Sequence, residues 1–177
     1  TRGEDSVAFT GTASEFGVRR MILHYAHLCE VAGGVDAFLI GSEMPGVTSV
    51  RRNTTTAFPG VERYVTLASD VRGILRAQTE ISYAADWSEF HSFRPASEPS
   101  TVIFNLDPLW ASSAISFIGI DNYLPIADWR DGESHLDFDA ENGPLSPLDD
   151  AYLRSNIQGG ELYDGFYASD ADRLSQT

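Results

Sequence analysis

Three acidic residues, Glu43, Asp86 and Asp121, each close a short apolar run: Ala37-Phe38-Leu39-Ile40-Gly41-Ser42-Glu43, Tyr83-Ala84-Ala85-Asp86 and Ile118-Gly119-Ile120-Asp121. Trp87, Tyr123 and Trp129 follow the acids closely, with Asn122 between Asp121 and Tyr123. Two carboxyl groups can cleave a glycosidic bond. One protonates the departing oxygen, and the other attacks the anomeric carbon or activates water. Flat aromatic faces beside carboxylates suit stacking against sugar rings. Glu43 is the leading acid/base candidate, because burial at a strand end favours the protonated carboxyl that a general acid needs. Plainer readings stand beside this one. Glu43 could cap the next helix or pair with Arg51 or Arg52, Asp86 and Asp121 could cap helices or bond loops, and each tryptophan could be core.

The elements that must position these acids can be read in order. Thr12-Ala13-Ser14-Glu15 has capping-box spacing. Val18, Met21, Ile22, Tyr25, Leu28, Cys29 and Ala32 then recur at helical period up to Gly33-Gly34. Val7 to Thr10 could be a short peripheral strand. Ala37 to Ile40 lacks polar alternation and reads as a strand buried on both faces. A polar loop follows from Pro45 to Ala57. A second helix starts near Pro59, with a stripe of Val61, Tyr64, Leu67, Ala68, Val71, Ile74 and Leu75. Glu80 to Ala85 and Ile115 to Ile120 read as two further strands. Asp107-Pro108-Leu109-Trp110 suggests a short helix, Asp149 to Gln158 another, and Ser169 a last helical start. Tyr163, Phe166 and Tyr167 form an aromatic stretch between them.

A clear amphipathic helix joins the first two strand-acid phrases, so they form a β-α-β unit of parallel neighbours. Parallel neighbours place all three acids on one rim, and carboxylates at the C-terminal rim of buried strands are where α/β folds keep their chemistry. The fold class read here is α/β, in one domain spanning residues 1–177.

Composition narrows the partners. The chain has 177 residues, 42% of them hydrophobic, enough for one domain with a sizeable core. Its 26 carboxylates face 12 basic residues, all of them Arg, for a net charge of -14. Such a surface repels phosphate backbones, so no nucleic-acid partner is expected. No apolar stretch approaches the ~20 residues of a membrane span. Cys29 is the single cysteine, which excludes an internal disulfide, and its place on a helical stripe suits an inert thiol. His24 and His27 have ligand spacing but no nearby third ligand. Asp137, Asp139 and Glu141 resemble a calcium loop, yet Gly143 falls one place late and Leu148 holds the twelfth position. No metal and no cofactor is expected, and no Gly-rich phosphate loop is present.

Longer strings carry a resemblance. Arg19-Arg20-Met21-Ile22-Leu23-His24-Tyr25-Ala26-His27-Leu28, Gly33-Gly34-Val35-Asp36-Ala37-Phe38-Leu39-Ile40-Gly41-Ser42-Glu43 and Tyr83-Ala84-Ala85-Asp86-Trp87-Ser88-Glu89 are three of them. Leu106-Asp107-Pro108-Leu109-Trp110, Gly119-Ile120-Asp121-Asn122-Tyr123, Asp128-Trp129-Arg130-Asp131-Gly132 and Tyr167-Ala168-Ser169 continue them. Together they resemble the TIM-barrel-like, glycoside-hydrolase-type domain of the tail-tip (baseplate or host-specificity) protein of gene transfer agents and related phages.

That resemblance implies a partial (β/α)8 barrel holding roughly strands four to six, with Glu43, Asp86 and Asp121 at their ends. Glu43 would be the acid/base, and Asp86, Trp87, Asp121, Asn122, Tyr123 and Trp129 would bind substrate. It implies a phage-like tail tip, made in the bacterial cytoplasm, that acts on or binds an envelope polysaccharide or peptidoglycan-type glycan during penetration. Partners would be other tail or baseplate proteins and the remaining parts of the same barrel. Two departures bear on catalysis. Ser42 stands where many related glycosidases have Asn, and the family's Phe-Thr-Glu-Leu-Gly segment with the strand-seven nucleophile has no counterpart here. A full barrel needs ~250 residues, so the chain reads as a middle portion of one. The alternative is a non-catalytic barrel that binds glycan or builds the tail tip.

Overall fold

A computed structural model of the chain describes residues 7–53, 56–98, 100–123, 126–157 and 169–175. These fall into two compact units, Thr1–Asn122 and Tyr123–Thr177.

The first unit runs α1 (Val18–Val31), β1 (Ala37–Ser42), α2 (Pro45–Thr48), α3 (Pro59–Arg72), β2 (Glu80–Asp86), α4 (Asp107–Trp110) and β3 (Gly119–Asp121). The three strands form one sheet in the order β1-β2-β3, and both pairings are parallel. This is the β-α-β arrangement expected from the repeated strand-acid phrase, an α/β partial barrel.

The main helix of the unit, α3, follows its sequence pattern closely. Pro59 occupies the first turn, where its missing N–H costs nothing. Glu62 in the first turn and Arg72 in the last complement the helix dipole. Val61, Tyr64, Leu67, Ala68 and Val71 are all buried, at the spacing of one helical face. They pack with Ile40, Ile81, Tyr83, Ala85, Leu106 and Leu109 into the core. Arg72 then ties this layer together at its lower end, donating to the carbonyls of Thr79 (2.7 Å) and Ala114 (3.4 Å).

Several expectations about the elements need correction. The capping box at Thr12–Glu15 does not start α1. The Glu15 amide instead closes a turn onto the Thr12 carbonyl, and Gly17 is the N-cap without a side-chain bond. Arg20 accounts for the difference, because its guanidinium donates to the Ala13 and Glu15 carbonyls and lies over the Phe9 ring, folding the segment back on the helix. The packed face of α1 also differs from the expected stripe. Ile22 and Ala26 are buried, whereas Val18, Met21, Tyr25 and Leu28 are exposed and Cys29 is half-buried. The anticipated strand at Val7–Thr10 shrinks to an isolated bridge at Val7. Within the expected loop after Glu43, Pro45–Thr48 forms the short helix α2, started by Pro45 in its first turn.

β3 is likewise shorter than the run Ile115–Ile120. Ser116 explains this, since its hydroxyl, rather than a backbone carbonyl, accepts from the Ile81 amide (3.1 Å) while its own amide donates to the Ile81 carbonyl (2.8 Å). The Ser82 hydroxyl likewise donates to the Phe117 carbonyl (2.6 Å). The Ser116 and Ser82 hydroxyls thus replace ladder bonds in tying residues 116 and 117 to β2, and the regular ladder begins only at Gly119. Glycine is required there because a Cβ would lie 2.6 Å from the Tyr83 carbonyl oxygen.

The second unit contains α5 (Asp150–Asn156) and α6 (Asp170–Ser175). Asp149 caps α5 by accepting from the Tyr152 amide at 2.9 Å. Gly159, Gly160, Tyr163, Phe166 and Tyr167 lie outside the described residues.

Candidate functional site

All three candidate acids stand at the C-terminal end of the sheet. Register explains how. In-register residues of parallel strands present their side chains to the same face, and β1 carries one extra residue against β2 between Leu39 and Ser42. Leu39 pairs with Ser82 and Ser42 with Ala84, so the bulge returns Ser42 to the Leu39 face. Gly41 makes the bulge possible, since a Cβ there would meet the Tyr64 ring and hydroxyl at 3.0 Å. On the other side, Ala84 pairs with Gly119 and Asp86 with Asp121. Ser42, Ala84, Asp86, Gly119 and Asp121 therefore share one face. Across it, the Ser42 hydroxyl donates to the Asp121 carboxylate at 2.8 Å, over the small Ala84 side chain.

Glu43 lies just beyond β1. Its amide continues the ladder to the Ala84 carbonyl at 2.8 Å, but its φ is +51°. Among the described residues only Asn53 shares this left-handed conformation without being glycine, and Asn tolerates it far better than Glu. Glu43 is exposed, which corrects the expectation of burial. The loss of β-structure right after the bulge turns the chain outward into α2 and carries the side chain with it. The plainer readings of Glu43 are not met either. Met44 is the N-cap of α2, with no side-chain capping bond, and Arg51 pairs with Glu98 at 3.0 Å. Among the described residues no hydrogen-bond or ion-pair partner reaches the Glu43 carboxylate.

The strain leads to a prediction. The left-handed conformation costs a non-glycine residue roughly 1–2 kcal/mol, and glycine's greater freedom when unfolded gives back about 0.5–1 kcal/mol. Glu43→Gly should therefore leave folding stability equal or raise it by up to about 1.5 kcal/mol. Denaturant midpoints check it, and a clear loss would mean that the Glu43 side chain holds the fold.

The other candidate residues divide. Asp86 is half-buried at the end of β2, where one carboxylate oxygen accepts from the Ser88 amide (2.8 Å) and from the Ser88 hydroxyl. It closes the turn in which half-buried Trp87 lies. Asn122 is exposed and ends the first unit, and Tyr123, 67% exposed, opens the second. Trp129 is half-buried in the second unit, with His135, Phe138 and Tyr152 edge-on around its ring at 4.7, 6.2 and 5.6 Å between centroids. Among the described residues no cluster of three or more His, Cys, Asp or Glu could hold a metal. None of their helices is long and apolar enough to cross a membrane.

A parallel β-α-β sheet with an unpaired acid and a serine–aspartate bridge at its C-terminal end is what a segment of a (β/α) barrel rim should look like. The comparison with protein families decides the point, because the family described as the GTA TIM-barrel-like domain matches residues 16–177. The chain belongs to this family. Among curated proteins and among solved structures, none matches. The family ties the chain to gene transfer agents, which are phage-like particles.

In this GTA TIM-barrel-like domain a buried polar cluster beneath Glu43 escaped the sequence reading. Glu89 is 5% exposed and accepts from the Tyr83 hydroxyl (2.6 Å) and the Thr48 hydroxyl (2.9 Å). The Tyr83 hydroxyl in turn accepts from the Met44 amide at 2.7 Å. Asn105, also buried, donates to the Thr48 carbonyl at 3.1 Å. One signal was available: a tyrosine inside an otherwise apolar strand needs a partner for its hydroxyl. Nothing in the spacing singles out Glu89 or Thr48, because the contact depends on how α2 and the turn after β2 pack.

Burial, and then the hydrogen bond to Glu89, push the Tyr83 phenol far above its ordinary value. Burial and the Glu89 charge raise Tyr64 as well. A raised folded value means that the native state keeps a proton which the unfolded chain releases near pH 10. That stability is complete below pH ~10 and is lost as pH rises further, at about 1.4 kcal/mol per pH unit for each tyrosine. Unfolding followed from pH 9 to 11 should show this alkaline fall, and Tyr83→Phe should flatten it.

Proposed function

We propose that this domain acts on an envelope glycan, of the polysaccharide or peptidoglycan type, at the tail tip of a phage-like particle, with Glu43 as general acid/base. The observation that carries the reading is Glu43 itself. It is an exposed carboxylate at the C-terminal end of a barrel-type strand, in a backbone conformation that costs energy; Met44, not Glu43, is the N-cap of α2, and Arg51 pairs with Glu98 instead. Strained residues that serve no packing purpose concentrate at functional sites. Asp121, oriented by Ser42, faces the same end of the sheet and would hold sugar hydroxyls. Trp87, which follows Asp86, would offer an apolar face to a sugar ring, and Asn122 would add a polar contact; in the second unit, Tyr123 and Trp129 are proposed separately as substrate-binding residues. The second carboxylate of the catalytic pair would come from another strand end of the barrel. Other tail and baseplate proteins, and those remaining strands, are its proposed partners, and penetration of the host envelope its role.

One observation favours a second reading, a barrel that binds glycan or builds the tail tip without cleaving. Asp86 and Asp121 each give one carboxylate oxygen to a serine of this chain, Ser88 and Ser42, as residues that build the rim would. Incubating the full-length protein with a panel of labelled envelope polysaccharides and peptidoglycan fragments separates the two. New reducing ends support hydrolysis, and retention without cleavage supports the binding barrel.

A further inference from the structure

The cluster under Glu43 forms one chain of contacts. The Met44 amide donates to the Tyr83 hydroxyl, Tyr83 donates to one oxygen of Glu89, and Thr48 donates to the other. Both Glu89 oxygens are therefore turned inward, and the residue is not available to a substrate. Tyr83 and Thr48 are completely buried. A carboxylate at this depth needs bonded partners, since unpaired burial costs several kcal/mol. Here the partners are neutral hydroxyls rather than an arginine. Replacing Glu89 and Tyr83 with apolar groups would fill the same space without that demand, so packing alone does not explain the cluster.

What the chain grips is specific. Met44 is the residue immediately after Glu43, at the point where the backbone leaves β1 in its left-handed turn. The amide of Glu89 also bonds the Asp86 carbonyl at 2.9 Å, which closes the turn containing Trp87. One buried residue thus joins the segments that follow both strands, its carboxylate on the β1 side through Tyr83 and Thr48 and its amide in the turn after β2. We infer that Tyr83 and Glu89 are positioning residues, which fix the strained Glu43 at the rim through the Met44 amide. The inference rests on the reading of Glu43 as the acid, and it deepens that reading by saying what keeps the acid in place.

The hydrogen-bond directions make the conservative variant informative. In Glu89→Gln the side-chain oxygen can still accept from Tyr83. The amide nitrogen then meets Thr48, whose hydroxyl is also within 3.3 Å of the Met44 carbonyl and can turn its proton there. Glu89→Gln preserves the link from Tyr83 to Met44, whereas Glu89→Leu and Tyr83→Phe break it.

The test uses the full-length protein in these three variants. Hydrogen exchange is read over the peptide containing residues 43–48, and kcat and KM are read on the glycan that wild type cleaves. Tyr83→Phe and Glu89→Leu should speed exchange in that peptide at least about tenfold, with β2 protection kept. They should lower kcat by about 10–100-fold with KM within about twofold, since small displacements of a catalytic group cost rates of this order. Glu89→Gln should stay within about threefold of wild type in both readouts. Should Glu89→Leu fail to fold, Tyr83→Phe gives the same reading, because it removes a single oxygen. Wild-type exchange in Tyr83→Phe overturns the inference, as does faster exchange with undiminished kcat. A loss in Glu89→Gln as large as in Glu89→Leu also overturns it, since charge and not the bonded chain would then be at work. If wild type cleaves no glycan, the hydrolase reading fails while exchange still decides whether Tyr83 and Glu89 hold Met44.

Discussion

Glu43→Gln in the full-length protein should lower glycan hydrolysis about 10²–10⁴-fold, the usual share of general acid–base catalysis. Gln keeps the volume and the hydrogen-bonding capacity of Glu but has no proton to transfer. The backbone at position 43 is set by the ladder to Ala84 and by the Met44 bond to Tyr83, neither of which involves the Glu43 side chain. The fold should therefore be untouched, with the unfolding midpoint shifted little. Glycan binding should also persist. Loss of rate together with loss of fold would place Glu43 in the scaffold instead.

The second large effect is on stability. Leu109→Ala should destabilise the domain by about 2–5 kcal/mol, as removal of a fully buried leucine does when the site relaxes only partly. Leu109 has no exposed surface and lies on α4, which is only four residues long. A helix that short has no stability of its own. It is held by Leu106 and Leu109 against the α3 layer, and by the Trp110 indole donating to the Phe90 carbonyl at 3.2 Å. Emptying the Leu109 site should release α4 and the segment leading into β3, and with it the Asp121 end of the rim. Chemical denaturation gives the number. A change under 1 kcal/mol would mean that α4 is a surface decoration.

Where the sequence was legible, one strong physical signal acted alone. The α3 stripe predicted its buried residues because five apolar side chains at helical spacing admit only one packed face. The parallel pairing followed from a helix between two apolar strands, which leaves few connections open. The acids fell at one end for the same reason. Legibility failed where tertiary contacts compete with local pattern. Thr12–Glu15 has the letters of a capping box, but Arg20 captures its carbonyls. The α1 stripe ran wider than the surface available to cover it, so Ile22 and Ala26 are buried while Met21 and Tyr25 are not. Ser116 interrupts the third strand through its hydroxyl, which no period-two pattern can reveal. Glu43 was expected to be buried because Ala37 to Ile40 reads as a strand buried on both faces. Yet Ala37 and Leu39 are exposed, only Ile40 is fully buried, and the bulge at Gly41 and the turn that follows bring Glu43 out. The Glu89 cluster lay deepest from view, since its members come from α2, β2 and the turn after β2, with Asn105 joining from before α4.

The central claim is that Glu43 delivers a proton to a departing sugar oxygen. Its most direct test is the dependence of rate on leaving group. Aryl glycosides of the sugar released from the natural glycan would be compared across a range of phenol pKa, for wild type and Glu43→Gln. Wild type should depend weakly on the phenol, because the acid protonates the departing oxygen. Glu43→Gln should depend steeply and approach wild-type rates on the best leaving groups, which need no protonation. Parallel lines with equal rates would contradict the account and leave Glu43 as a strained residue of a binding barrel.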